Sequence, residues 1–259
     1  MTNRFAPGTF TPRPGAGSRI GMLAAQSAIE LRLALRHGEQ VLLTLLIPAV
    51  LLVGLTLLDV VALPEPRVQA VVPGILALAV MSTAFTGQAI ALGFDRRYGV
   101  VRRLAATALP RWLLVAGRLV AVLGVVAVQV VVLGGVAVAL GWAPAAGGLG
   151  WALMLVLLGC AAFGSVGILL GGSLRAEVVL AVANVVWFVL LLAGGIVIPL
   201  AQLPGPLAAV AAVLPSGGLA EGLRDALIAG RGPGWVPILV LLAWIVGAAL
   251  LAVRTVKLR

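Results

Sequence analysis

Groups that do covalent or metal chemistry are nearly missing from this sequence, which has one cysteine, one histidine and one lysine. Cys160 stands alone inside an apolar run, so no intrachain disulfide can form. His37 has no carboxylate or thiolate partners at metal-ligand spacing, which leaves no metal site. Because Lys257 is the only lysine and sits close to the last residue, no Gly-x-x-x-x-Gly-Lys-Ser/Thr phosphate cradle exists. ATP hydrolysis of that type is excluded from this chain. No serine has a histidine in a readable nucleophile arrangement, so an enzyme reading is poor. Residues 1–17 carry prolines and glycines but no apolar core of a signal peptide. They read as a flexible cytoplasmic tail with nothing to cleave.

Charge is also scarce, at 10% of residues, while apolar residues make up 62%. A soluble domain typically has about a quarter charged and about 45–50% apolar residues. Lipid accommodates the excess, and water does not. The net charge of +10 suggests nucleic acid at first sight. The cations punctuate apolar runs instead of covering one face, so we expect no nucleic-acid partner.

About 20 mainly apolar residues cross a bilayer as a helix. Six stretches meet that length: Val41 to Leu58, Gln69 to Leu92, Leu113 to Leu140, Leu149 to Leu170, Val178 to Leu200 and Trp235 to Val253. With the N-terminus inside, fifteen of the 18 cations lie on the cytoplasmic side. Only Arg67, Arg224 and Arg231 remain outside, whereas the eight acids divide evenly. Short loops retain Arg and Lys on the cytoplasmic side, so both termini are expected there. Arg118, one or two turns into the third span, reads as a cation snorkelling to the inner interface.

Between Ser18 and His37 the pattern is two-sided at helical spacing. Arg19, Gln26, Glu30 and His37 share one stripe, with Ile20, Ala24, Ala28, Leu31 and Leu35 opposite. A basic amphipathic helix over residues 18–38 fits one lying in the inner interface. The expected fold class is therefore an all-α integral membrane protein. Six transmembrane helices over residues 39–259, with both termini cytoplasmic, follow an amphipathic interfacial helix.

Two segments outside the spans carry most of the remaining signal. The cytoplasmic loop 94–112 is the most charged, and Pro110 breaks any short helix within it. It either only fixes topology or also docks a soluble partner, and the residues alone leave both open. The external segment 200–234 has an apolar run, Leu207 to Leu214, too short to cross and bounded by Pro204-Gly205-Pro206 and Pro215. A re-entrant pair of short helices and a loop folded over the mouth are both compatible with it.

Polar residues inside spans are costly in lipid and usually face a partner or a cavity. They are Ser82, Thr83, Thr86, Gln88, Gln129 and Asn184. Gln88, Gln129 and Asn184 are candidates to face a substrate, and hydrogen bonds between helices explain such residues equally well. Gly167 and Gly171 form a Gly-x-x-x-Gly pair, a close-packing surface and a weak dimerisation signal. Acids buried in mid-span, as in ion-coupled carriers, are missing.

Three regions together resemble the permeases of type-2 ABC transporters. The first is the amphipathic helix before span one. The second runs from Asp95-Arg96-Arg97-Tyr98-Gly99 through Arg103-Leu104 to Thr107 and Pro110. The third is Gly195-Ile196-Val197-Ile198-Pro199, then Leu203-Pro204, Leu214-Pro215 and Arg224. Asp95 stands where glutamate is usual, and Ala108 where many relatives have proline. The second motif is similar to that of actinobacterial drug-resistance permeases related to the daunorubicin exporter.

The resemblance implies a permease of the cell membrane, exporting an amphipathic, drug-like or lipid-like molecule. A second permease copy, as homodimer or heterodimer, and two copies of a separate ATPase would be its partners. That ATPase, not this chain, would hold ATP and Mg. Asp95, Arg96, Arg97, Tyr98, Gly99, Arg102 and Arg103, with Arg175 and Glu177, would couple to it. The external segment with Pro199, Pro204, Pro215 and Arg224 would close an outer gate. A carrier or channel independent of ATP, and a membrane scaffold or assembly subunit, are the other classes considered.

Overall fold

The computed structural model describes residues 17–36, 38–59, 63–107 and 110–255. The expectations for residues 1–16, His37, Ala108, Lys257 and Arg259 lie outside the described residues. The structure is 84% helical, and no strand occurs among the described residues. In chain order the helices are α1 (Arg19–Arg36), α2 (Gly38–Leu57), α3 (Arg67–Met81) and α4 (Gln88–Arg97). They continue as α5 (Val100–Ala105), α6 (Arg111–Ala139), α7 (Leu149–Ser173) and α8 (Ala176–Ala193). The last are α9 (Gly205–Val213), α10 (Pro215–Leu227) and α11 (Trp235–Thr255).

Among the described residues, five helical stretches are long and apolar enough to cross a membrane, or six if the bent pair Gly205–Val213 and Pro215–Leu227 is one span: Arg67–Arg97, Trp112–Ala139, Ala146–Ser173, Ala176–Ala193 and Trp235–Thr255. In α2, the apolar stretch Thr44–Leu57 occupies the position of the first span. Burial sorts the spans. Within Arg67–Arg97, 78% of the most apolar 18-residue window is buried, so this stretch forms the centre, whereas the corresponding share in Trp235–Thr255 is 17% and that helix rims the bundle. The rim helices present Val185, Phe188, Leu192, Leu239 and Val246 outward, an apolar exterior that suits hydrocarbon and not water.

The second and fifth spans end well away from where the sequence reading put them. The second span runs on to Arg97, because α3 and α4 are one rod joined by a π turn at Ser82–Gly87. Asp95, Arg96 and Arg97 therefore stand on a helix, and the loop proper starts at Tyr98. Gly99 makes that break with φ +71°, a left-handed conformation that a side chain would oppose. The fifth span stops at Ala193, since Gly194 and the positive-φ Gly195 follow, so residues 194–198 are irregular. Pro110 precedes α6, where its fixed φ suits a helix start.

Gly167 and Gly171 are used inside the chain. A Cβ on Gly167 would sit 2.8 Å from the Phe85 carbonyl oxygen, and one on Gly171 would collide with the Ala89 carbonyl. Their face lets α7 close on the π turn and α4, which are already its neighbours.

The amphipathic α1 lies along α6. Its polar side, with Gln26, Ser27 and Glu30, turns toward the bundle, while Ile20, Ile29 and Leu35 are exposed. This inversion of the soluble pattern suits a helix whose outer face meets apolar surroundings. Between α8 and α11, α9 and α10 are bent by 93° at Leu214 and Pro215. Most of α10 is buried against α3, α7 and α11.

Candidate functional site

The two segments expected to couple to a partner are far apart in sequence but meet at one end of the bundle. Arg96 reaches from α4 to the end of α7, where its Nη1 donates to the carbonyls of Gly171 (2.9 Å) and Leu174 (3.2 Å). A cation there satisfies carbonyls that have no partner within the helix. Arg97 pairs with Glu177 at the start of α8, and both side chains remain at least half exposed. An acid in the first turn of α8 also suits the positive end of the helix dipole.

Tyr98 is exposed and stacks on Phe94 at a centroid distance of 6.1 Å. Arg103 Nη2 donates back to the Tyr98 carbonyl at 3.0 Å, while Arg102 and Arg103 are both exposed on α5. A recess of about 400 Å3 between α4, α5 and the α7–α8 junction is lined by Arg96, Arg97, Arg102, Arg175 and Glu177. Four guanidiniums around one open recess form a strongly cationic surface, suited to an acidic or polar partner.

Asp95 turns the other way. Its carboxylate accepts from Arg118 Nη2 of α6, and Arg118 Nε lies 3.7 Å from Glu30 Oε1 of α1. Arg118 is 8% exposed, so it is not a snorkelling side chain. It ties three helices together from inside the fold. Beside it, α1, α2, α4 and α6 enclose a half-open cavity of about 300 Å3. Glu30, Asp95 and Arg118 form the charged part of its lining, and Thr44, Thr83 and Gln88 the polar part.

Of the three polar residues expected to face a substrate, only Gln88 lines this cavity. Gln129 is 1% exposed in the core. Thr83 Oγ1 donates to its Oε1 at 2.9 Å, and its Nε2 reaches Thr44 Oγ1 at 3.5 Å, so it joins α2, the π turn and α6. Asn184 is on the exposed side of α8 and donates to the Leu180 carbonyl one turn back, at 2.8 Å. Sequence reasoning missed Trp187, whose Nε1 donates to Ser82 Oγ at 2.9 Å and links α8 to the π turn. The pairing of Glu30 with Arg118 was missed as well. The one available signal was Glu30 itself, a rare acid on the polar stripe of α1.

At the opposite end, Pro199, Pro204 and Pro215 each stand at the start of a helical piece. Arg224 of α10 is 9% exposed. Its Nη1 pairs with Glu221 at 2.5 Å, and its Nη2 donates to the carbonyls of Gly195 (2.8 Å) and Ile196 (2.9 Å). Glu221 in turn accepts from the Leu200 amide at 3.0 Å. One ion pair thus fixes the irregular segment after α8 to the buried α10.

The sequence model of the family described as ABC-2 type transporter matches residues 27–228, most of the chain. The chain belongs to the ABC-2 type transporter family. No curated protein matches it as a relative. The matched region starts within α1 and ends just after α10, so it takes in the cationic recess, the Arg118 cluster and the Arg224 clamp. An ABC-2 permease domain is a membrane transport component and not a catalytic one, and the family works with an ABC ATPase partner.

Proposed function

We propose that this chain is the membrane-spanning subunit of an ATP-driven exporter in the cell membrane, acting on amphipathic, drug-like or lipid-like molecules. It acts as one of two permease copies, with two copies of a separate ATPase supplying the energy. The cationic recess faces the cytoplasm and receives that ATPase, with Tyr98, Arg102, Arg103 and Arg175 as the contact set. The segment held by Arg224 closes the outer side.

The observation that carries this reading is the convergence of α4, α5 and the start of α8 on one recess, inside a chain of ABC-2 membership. Arg96 caps α7 and Arg97 pairs with α8, so a movement of the end of α4 is passed through two arginine links to two spans. The test is co-purification with candidate ABC ATPases of the same cell, co-expressed with this chain, followed by ATP turnover in lipid. A stable complex whose turnover depends on this chain supports the reading. Absence of association under every nucleotide condition overturns it.

A further inference from the structure

The cavity between α1, α2, α4 and α6 has a polarity of its own. The Arg118 side chain is 10% exposed, whereas those of Glu30 and Asp95 are 23% and 31% exposed, so the charged surface it offers is mainly carboxylate. Among the described residues, two acids and one guanidinium give this lining a formal charge of −1. Glu30 Oε1 already accepts from Gln26 Nε2 at 2.9 Å and faces Arg118. Its second oxygen, the second oxygen of Asp95 and the Gln88 amide have no hydrogen-bond partner among the described residues. Leu33, Val122 and Val125 make the rest of the wall apolar.

We infer that this cavity binds an amphiphile with an ammonium head. An ammonium group brings several N–H donors and one positive charge, which answer the unmatched acceptors and the excess acid together. Its apolar portion lies against Leu33, Val122 and Val125. An unbalanced carboxylate next to lipid is costly, so a cationic head lowers the energy of the site on entering it. A volume of about 300 Å3 is at the lower end of ligand pockets, which suits one small amphiphile or the head of a larger one. The inference deepens the exporter reading, on which it rests for the ligand's role as cargo or companion lipid. Binding itself needs no ATPase.

The test uses the full chain in dodecyl maltoside micelles without any ATPase. Monodansylcadaverine, a fluorescent primary ammonium, is titrated beside its uncharged N-acetyl derivative. We expect saturable binding of the ammonium probe and weakening of about tenfold or more in Glu30→Gln, the loss of one charged hydrogen bond. The acetylated probe binds at least as weakly. Ala91→Phe, which leaves all three charged groups in place and fills the cavity, abolishes binding and guards against misfolding of Glu30→Gln. Displacement by added phosphatidylethanolamine identifies a bilayer lipid as the source. Retention of the probe identifies a free amphiphile, and either outcome supports the ammonium site. Equal binding of the two probes, or unchanged binding in both variants, overturns it. Because turnover is not measured, a failed ATPase pairing leaves this result intact, and the reverse also holds.

Discussion

Single residues here act mostly as ties between helices, and their worth depends on what is left behind when one is cut. Arg118→Ala leaves Glu30 and Asp95 without their cation at the edge of a half-open cavity. Removing one partner of a fully buried pair costs about 3–5 kcal/mol, and the partial exposure of both carboxylates brings the loss here below that range. We expect a lower melting temperature in detergent for Arg118→Ala, partly restored when Asp95→Asn is added. The Thr83–Gln129 bond is neutral and should count for less. A double-mutant cycle with Thr83→Val and Gln129→Leu, read by unfolding in micelles, is expected to give a coupling of about 0.6 kcal/mol, the average for hydrogen bonds between membrane helices, and no more than about 1.7 kcal/mol.

At the scale of elements, the central rod of α3, the π turn and α4 organises the rest. Its widened turn lies where Ser82 and Thr83 meet partners from α8 and α6, in keeping with the placement of π turns at functional positions. The rod accepts α7 only because Gly167 and Gly171 carry no side chain. Gly171→Leu should therefore destabilise the isolated monomer by about 1–3 kcal/mol through overpacking. Thermal unfolding at a protein concentration where the chain is monomeric checks this; a loss seen only as weaker self-association would return the motif to a dimer contact. The short α5 holds few buried groups, and its Arg102 and Arg103 point outward. Charge reversal, Arg102→Glu with Arg103→Glu, is expected to abolish co-purification with the ATPase while membrane insertion persists, because the other cations on that side still set the topology.

The whole molecule is a bundle with an apolar rim, one cationic end and one end clamped by Arg224. The cation count predicts its orientation, with the cationic end in the cytoplasm, and a labelling experiment decides it. In a Cys160→Ala background, Arg231→Cys should react with a membrane-impermeant maleimide added to intact cells, whereas Tyr98→Cys should react only after the membrane is opened. Both positions are exposed in the structure, so accessibility and not burial sets the outcome. The reverse labelling pattern would place the cationic recess outside and remove it as a cytoplasmic docking surface.

Composition and the spacing of apolar runs determined the class and roughly where the spans lie, because lipid demands long, continuous, nearly uncharged helices. The motifs around Asp95–Pro110 and Gly195–Arg224 pointed to the family, since each is a local run that survives without knowledge of the fold. What a local pattern does not hold is which polar group meets which. Asp95 and Arg97 are two residues apart, yet one turns into the Arg118 cluster and the other out to Glu177. Gln88, Gln129 and Asn184 look alike in sequence as amides within spans. Only the tertiary packing made Gln88 a cavity wall, Gln129 a core tie and Asn184 an outward side chain. Hydrophobic length is a property of one segment, whereas hydrogen bonds and ion pairs across helices belong to the arrangement of several, so only the folded bundle decides them.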